Sequence, residues 1–211
     1  MGIINQLLTA IEQIQANIPD ILNLIAIAWL VQAANLCTNY RFNVFGIIPR
    51  HLIGIPGIVL SPFLHGSLSH IFLNSLFFFG MAAMVSLHGL STFYIISISI
   101  TLISGSLVWC CARLACHVGA SGVIMGYWSY LMINAYYNPQ LIDVLAAGAG
   151  MYYVGADLLG SIAPGGKNVS VEGHVAGLIA GGITAAFYAP ICEIVSTGMW
   201  HIFGIYLECI I

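Results

Sequence analysis

The chain of 211 residues carries only four basic and seven acidic side chains, whereas 60% of its residues are hydrophobic and its mean hydropathy is +1.00. Because soluble domains contain about 25% charged residues, this composition excludes an ordinary water-soluble fold and indicates a protein that crosses the lipid bilayer several times. The net charge of -3 and the scarcity of lysine and arginine exclude the polybasic surface that a nucleic-acid partner requires.

The first predicted element is an amphipathic helix over residues 1–19. Apolar residues recur there at helical spacing, and glutamine, glutamate and asparagine residues fall between them. The apolar positions are Ile3, Leu7, Ile11, Ile14 and Ile18. Because a helix with one apolar and one polar face binds in the plane of the interface, this helix is expected to lie on the membrane surface.

Six apolar segments of about 20 residues follow, each long enough to cross the hydrocarbon core as a helix. They are expected near residues 20–39, 69–88, 91–112, 119–137, 141–161 and 172–190. The predicted fold is therefore all-α, a polytopic transmembrane helix bundle with a six-span domain over residues 20–190. The apolar tail, residues 191–211, has a glutamate near each end and is predicted to be either a seventh span or an interfacial helix.

The connection between the first two spans, residues 40–68, is a long loop. Pro49, Pro56 and Pro62 prevent it from forming a continuous spanning helix. Since lipid cannot hydrogen-bond to its backbone, the loop must be buried against the protein or lie at the interface.

Polar residues gather at the starts of the second, fourth and sixth spans. These three spans cross the membrane in the same direction, so their starts share one side and a similar depth. The stretches are LHGSLSHIFLN (64–74), GASG (119–122) and EGHVAGLIAG (172–181). Groups that are far apart in sequence are therefore expected to meet at one level of the bundle.

Ser121 and His174 are candidates for a nucleophile and its general base. A lone serine is a common packing residue between membrane helices, but an ionisable side chain inside a span is costly and indicates function. A neutral imidazole can take the serine proton and return it to a leaving amine. Glu172 and Asp157 are the nearest acidic residues, but Glu172 lies only two residues from His174 and points to another face, so a dyad is expected.

Glycines near Ser121 and His174 are predicted to support the site. Those on the fourth and sixth spans form GxxxG steps, which allow two helix backbones to approach closely. If these two faces meet, Ser121 and His174 are held side by side one turn before the contact. The supporting glycines are Gly119, Gly122, Gly126, Gly177 and Gly181.

His70 and Asn74 are four residues apart, so both project from one face of the second span. Two neutral donors on one face suit an anion that forms only during a reaction, and the backbone N–H of Ser121 is a further candidate donor. The alternative is a hydrogen-bonded pair that joins two helices. His65 is predicted to be a structural hydrogen-bonding residue that orders the turn into the second span.

The stretches SPFLHGSLSHIFLN, GASG and GHVAGLIAG, in this order and on alternate spans, resemble the rhomboid family of intramembrane serine proteases over about residues 20–190. The resemblance implies that Ser121 is the nucleophile, that His174 is the base, and that His70 and Asn74 contribute to an oxyanion hole. It also implies a six-span core with a membrane-inserted first loop, and no metal or organic cofactor.

The activity implied by this resemblance is hydrolysis of peptide bonds in or near the transmembrane segments of membrane proteins. The implied partners are transmembrane protein substrates and the lipid bilayer. The implied location is that of an integral multi-pass membrane protein, in the cell (inner) membrane if the source is bacterial.

Two positions depart from the family pattern. Many rhomboids carry an aromatic residue four positions after the serine, packed against the catalytic histidine, and this chain has Met125 there. Methionine can make a comparable contact with a ring, so activity is expected to survive. The first loop also lacks the Trp-Arg pair of many members, which affects the packing of the loop and not the chemistry.

The four basic residues give an orientation opposite to that of familiar bacterial members. All of them lie in the first, third and fifth connections, which the positive-inside rule places in the cytoplasm together with the catalytic opening. They are Arg41, Arg50, Arg113 and Lys167. The family arrangement, which opens to the outside, is favoured because four charges are few.

Two other functions are compatible with the sequence. One is a non-proteolytic rhomboid-like protein that binds client helices. The other is a metal or small-solute transporter that uses imidazole and thiol ligands, although the cysteines show no metal-finger spacing. Its candidate ligands are His65, His70, His117, His174, Cys110, Cys111 and Cys116. The transporter leaves the ordered GASG and GHVAG stretches unexplained.

Overall fold

The structure is a computed structural model that describes the backbone of residues 3–137, 139–162 and 170–203, with side chains described for residues 4–137, 139–152 and 170–188. These residues form helices and short turns and contain no β-strand, which confirms the predicted all-α fold. The helices are α1 (Ile3–Cys37), the short α2 (Gly57–Leu60), α3 (Leu68–Val85), α4 (Leu90–Cys111), α5 (Ser121–Tyr137), α6 (Leu141–Ile162) and α7 (Val171–Phe203).

The six long helices occupy the six segments that the sequence predicts as spans. Within the described side chains, three segments are long and apolar enough to cross a membrane by length and composition, namely Ile4–Cys37, Leu68–His88 and Leu90–Cys111. α5 has 17 residues and is therefore about 26 Å long, slightly less than the roughly 30 Å of a hydrocarbon core. A shorter helix allows the residue at its start to lie below the membrane surface.

α1 runs without a break through Pro19, so the predicted interfacial helix and the first span belong to one continuous helix. The buried side chain of Asn17 donates a hydrogen bond to the carbonyl of Ser86, at 3.0 Å, which holds this part of α1 against the end of α3. A location on the membrane surface for the residues that precede it stays a prediction.

The tail also differs from the predicted boundary at residue 190. α7 continues to Phe203, so the described part of the tail extends α7 and does not begin a separate helix. Residues 204–211 lie outside the described residues. The position of the tail relative to the membrane stays a prediction.

α5 is the central helix of the bundle. A helix that is apolar on all sides belongs in the interior, and α5 is surrounded by core residues of α3 and α4. Tyr127 is one of the largest buried side chains on α5. Its hydroxyl lies 2.6 Å from Ser97 Oγ, so this polar group keeps a hydrogen-bond partner although it is buried. The buried side chains of α5 are Val123, Ile124, Met125, Tyr127, Tyr130 and Leu131.

α5 and α7 run parallel, and their backbones touch. A Cβ atom added at Gly177 would overlap the Gly122 carbonyl, and one added at Gly181 would overlap the Gly126 carbonyl. Both helices therefore depend on the absence of a side chain at the points where they meet. The contact joins the start of the fourth predicted span to the start of the sixth.

Hydrogen bonds hold the first connection against the end of α4. The guanidinium of Arg50 donates to the carbonyls of Ala112 (2.8 Å) and Cys110 (3.2 Å), and the indole N–H of Trp109 donates to the His51 carbonyl (3.0 Å). The last carbonyls of a helix have no partner within the helix, and a cation favours the negative end of the helix dipole. Arg50 therefore stabilises the packing of the first connection against α4, in addition to adding a positive charge to that connection.

We expect Gly181→Ala to lower the thermal unfolding midpoint of the purified protein in detergent. The added methyl group would overlap the Gly126 carbonyl and the Ser129 hydroxyl, and overpacking of this kind costs about 1–3 kcal/mol. Gly148→Ala is the matched control, because no atom lies within 4 Å of a Cβ at that position of α6. It should leave the midpoint unchanged or raise it, since alanine favours a helix by about 1 kcal/mol over glycine. Equal midpoints for the two variants would contradict the helix contact.

Candidate active site

Ser121 is the first residue of α5, and a tight turn leads into it. Gly119 has φ +116°, a backbone conformation that residues with a side chain rarely adopt, and its N–H donates to the Ser61 carbonyl at 2.9 Å. The first intrahelical bond runs from the Ile124 N–H to the Ala120 carbonyl, at 3.0 Å. The backbone N–H of Ser121 therefore lies in the helix turn whose amides have no acceptor within the helix and can bind an anion.

The contact between α5 and α7 sets the level of His174 relative to Ser121. Gly122 contacts the backbone of α7 at Gly173 and Gly177. Ser121, the residue before Gly122, therefore lies at the same height along the helix pair as His174. His174 is buried, with 3% of its surface exposed, and its backbone N–H donates to the Ser170 carbonyl at 3.2 Å. The two predicted catalytic positions thus face the same end of one parallel helix pair.

His70 and Asn74 approach the same turn from α3. An added Cβ at Gly119 would lie 2.8 Å from the His70 ring and 3.3 Å from the Asn74 amide nitrogen, so both side chains reach the residue two positions before Ser121. The Ser67 hydroxyl caps α3 by accepting from the His70 N–H at 3.1 Å, which fixes the start of this helix.

The amide nitrogen of Asn74 is buried and has no hydrogen-bond partner among the described residues. The Asn74 side chain as a whole is 7% exposed. A buried donor without a partner costs free energy, so each such donor calls for an explanation. A donor held ready for a charge that develops only in a transition state is one explanation, and this donor lies at the turn before the candidate nucleophile.

His65 is buried beside His70, just before the start of α3. Its side chain is 1% exposed, neither ring nitrogen reaches hydrogen-bond geometry with a described residue, and its ring packs edge-on against His70 with centroids 5.0 Å apart. Burial first, and the neighbouring His70 second, lower the pKa of His65 to about 4, and the nearby backbone of Phe63 acts in the opposite direction. His65 is thus a neutral packing partner of His70. Its predicted role in ordering the turn into the second span stays a prediction.

Two cavities adjoin the site. The smaller, of about 40 Å³, is lined by Ser121 together with the first loop, α4 and the start of α7. The larger, of about 240 Å³, is lined mostly by apolar side chains of α1, α3, α4 and α5 and includes Asn74 and His65. Pro62 and Val123 belong to both linings, so the two cavities are neighbours. The site therefore has apolar space on the side of the Asn74 amide.

Other predicted participants have different surroundings. Glu172 forms an ion pair with Arg113, at 3.4 Å, so it is engaged elsewhere than at His174. The side chain of Asp157 lies outside the described residues. Met125 is buried in the core on α5, and its contact with His174 stays a prediction.

Sequence reasoning gave no catalytic or supporting role to two polar residues that link the starts of the helices carrying Ser121 and His174. His117 Nδ1 lies 2.8 Å from Ser170 Oγ, which joins the turn before α5 to the first turn of α7. A signal was present in the numbering, since each residue precedes a catalytic candidate by four positions. Spacing alone does not reveal a partner 53 residues away.

Within the described residues, no three His, Cys, Asp or Glu side chains come together in a group that could hold a metal ion. All seven candidate ligands of the transporter alternative belong to this described part of the chain. The ligand set that the alternative needs is therefore not assembled in the structure.

Comparisons with known proteins agree with these motifs. The family model described as Rhomboid domain matches residues 54–191, a range that contains Ser121, His174, His70 and Asn74. Uncharacterized proteins of Mycobacterium bovis and Mycobacterium tuberculosis are 28% identical to the chain over 173 residues, covering 78% of this chain and 72% of theirs. An uncharacterized protein of Mycobacterium leprae is 25% identical, with coverage of 78% and 68%.

We expect the stability of the protein to fall as the pH is lowered from about 6.5 to 4, in part because of His65. Its pKa is lowered in the folded protein, so the unfolded chain binds the proton more readily in this window, and the loss reaches about 3 kcal/mol at the lower limit. Well above pH 6.5 the ring is neutral in both the folded and the unfolded state, so this residue contributes no pH dependence there. Thermal unfolding of wild type and His65→Phe between pH 4.5 and 7.5 checks this, and the variant should show the shallower dependence. Parallel curves would show that His65 is not a neutral buried ring.

Proposed function

Because the chain belongs to the rhomboid family and is a multi-pass integral membrane protein, we propose that it is an intramembrane serine protease. Its substrates are transmembrane proteins, and the bonds that it hydrolyses lie in or near their membrane-spanning segments. Ser121 is the nucleophile and His174 the general base. The cell (inner) membrane is the proposed location if the source is bacterial.

The observation that carries this proposal is the glycine contact between α5 and α7. Catalysis by a serine and a histidine from different helices requires the two helix starts to be close and in register. Gly122 and Gly177 bring the two backbones into direct contact, with Ser121 and His174 both located at that end of the pair. A contact made through larger side chains would separate the helices and place the histidine beyond reach of the hydroxyl.

The proposed reaction has two stages. In the first, the hydroxyl of Ser121 attacks the peptide carbonyl carbon while the imidazole of His174 takes the hydroxyl proton. The C–N bond then breaks, the imidazole gives the proton to the leaving amine, and an acyl-enzyme remains. In the second stage, water deprotonated by His174 attacks the ester, and the carboxylic acid leaves as Ser121 regains its proton.

The oxyanion formed in each stage requires donors in a dry environment. The amide nitrogen of Asn74 is buried and lacks a partner among the described residues, and the Ser121 N–H lies at the positive end of α5. His70 approaches the same turn and is the third proposed donor. Donors that are already in place need no reorganisation when the charge appears, which is why they favour the transition state over the substrate.

A substrate must present an extended segment to this site. The peptide bonds of a stable transmembrane helix are shielded, and glycine, proline or polar residues near the cut lower the cost of unwinding. Transmembrane segments with such residues are therefore the favoured substrates.

We expect Ser121→Ala and His174→Ala each to abolish cleavage of a transmembrane peptide by the purified protein in detergent. Ser121→Ala removes one oxygen from a half-buried position and should leave the thermal unfolding midpoint unchanged. Fluorescent product is the readout. Equal product from wild type and both variants would assign the activity to another site or a contaminant, and no product from any of them over several substrates and lipids would favour a client-binding role.

Asn74→Ala should lower kcat by about 100-fold, the typical loss on removal of one oxyanion donor, without lowering stability. Stability is retained because the variant removes a buried donor that has no partner among the described residues. Ser75→Ala is the control for loss of a neighbouring polar group of α3, since that hydroxyl donates to the Ile71 carbonyl at 2.7 Å and accepts from the Trp29 indole at 3.0 Å. A kcat for Asn74→Ala within twofold of wild type would exclude Asn74 from the oxyanion site.

A further inference from the structure

We propose that His117 is a positioning residue for catalysis, because its hydrogen bond to Ser170 holds the start of α7 in register with the start of α5. The inference rests on the proposed function, since the residue that it positions is His174. His117 Nδ1 lies 2.8 Å from Ser170 Oγ, and His117 is 7% exposed. Each partner stands four residues before a proposed catalytic residue: His117 lies in the turn that leads into α5, and Ser170 directly precedes α7.

The hydrogen bonds around His117 determine its tautomer. Nε2 lies 3.1 Å from the Arg113 carbonyl, which can only accept, so Nε2 carries the proton. Nδ1 of the neutral ring is then an acceptor, and Ser170 donates its hydroxyl proton to it. Ser170 Oγ in turn accepts from the Gly173 N–H at 3.1 Å. A continuous chain of donors and acceptors therefore runs from the first turn of α7 to the loop before α5.

The ring of His117 is itself firmly held. Its backbone exchanges two hydrogen bonds with Ile47 of the first loop, at 2.9 and 3.0 Å. His117 therefore connects three segments, namely the first loop, the turn into α5 and the first turn of α7. A residue anchored on both its backbone and its ring can fix the position of its partner.

The glycine contact by itself does not supply this register. Glycine faces bring backbones close but have no side chains that interlock, so they resist sliding and rotation of one helix against the other less than side-chain packing does. The Ser129 hydroxyl donates to the Leu178 carbonyl at 2.7 Å, about two turns along the helix pair. His117 and Ser170 provide the corresponding link at the catalytic end. With both links in place, neither helix can rotate without breaking a hydrogen bond.

The nearby ion pair between Arg113 and Glu172 is a poor substitute for this link. The two side chains are 62% and 33% exposed and their charged atoms are 3.4 Å apart. Exposed ion pairs contribute about 0–1 kcal/mol and are weakened by salt. Arg113→Gln is therefore a suitable control, because it removes a contact between the same two segments without removing the His117 bond.

The experiment uses a pair of substitutions that divide the two functions of the ring. His117→Asn places its amide oxygen as many bonds from Cα as Nδ1, so it can still accept from Ser170. His117→Gln places its amide nitrogen as many bonds from Cα as Nε2, so it can still donate to the Arg113 carbonyl but loses Ser170. These two variants, Ser170→Ala, the double variant His117→Gln/Ser170→Ala and Arg113→Gln are compared with wild type.

Two readouts are measured on the full-length protein in detergent. Amide hydrogen exchange over residues 170–177 reports the start of α7 without requiring activity. Peptide cleavage gives kcat and KM, and labelling of Ser121 by a fluorophosphonate, with Ser121→Ala as the blank, reports activation of the nucleophile without a peptide substrate.

We expect faster exchange and a kcat lowered about 3- to 10-fold in His117→Gln and Ser170→Ala, the effect of losing one hydrogen bond, with KM within about twofold of wild type. His117→Asn and Arg113→Gln should remain close to wild type. The double variant should be no slower than the slower single variant, because both remove the same bond.

Three results would overturn the inference. They are unchanged exchange over residues 170–177, changed exchange with wild-type kcat and labelling, and equal impairment of His117→Asn and His117→Gln. If wild type is labelled no faster than Ser121→Ala, the proposed function fails and the positioning role fails with it. The exchange data would in that case still show whether the hydrogen bond holds the start of α7.

Discussion

The direct backbone contact between α5 and α7 is the constraint on which the rest of the structure depends. Inside a bilayer the hydrophobic effect does not drive helices together, since lipid tails are as apolar as leucine side chains, so association relies on close packing and hydrogen bonds. Gly122, Gly126, Gly177 and Gly181 allow that packing along two turns of both helices. Their position, at one end of a parallel pair, gives the same contact a part in the fold and in the proposed catalysis.

Polar side chains add hydrogen bonds to the packing that the glycines allow. Several of these bonds go to backbone groups, which lipid could not hydrogen-bond. Arg50 donates to the last carbonyls of α4, Ser67 and Ser170 cap the first turns of α3 and α7, and His117 links the first loop to both catalytic helix starts. Asn74 is different, because its amide nitrogen has no partner among the described residues. In the proposed mechanism this donor, held at the turn before Ser121, serves the charge that develops in the transition state.

The sequence predicted the helices better than their ends. Apolar segments of about 20 residues located all six long helices, because burial of an apolar span depends mainly on composition. α1 is continuous through residue 19, so no helix end marks the predicted division there. The sequence did not show that His65 is a buried ring packed on His70, since burial of a loop residue depends on segments distant in sequence.

The sequence by itself determined the membrane environment, the all-α class and the candidate residues, because composition, apolar length and short motifs are local properties. It also contained the glycine spacing that permits α5 and α7 to meet. Only the tertiary structure decided which faces meet, that Asn74 and His70 reach Gly119, and that His117 pairs with Ser170. These contacts join segments that are about 45 to 55 residues apart in the sequence. They form only when whole helices pack against each other, and no local sequence pattern specifies that packing.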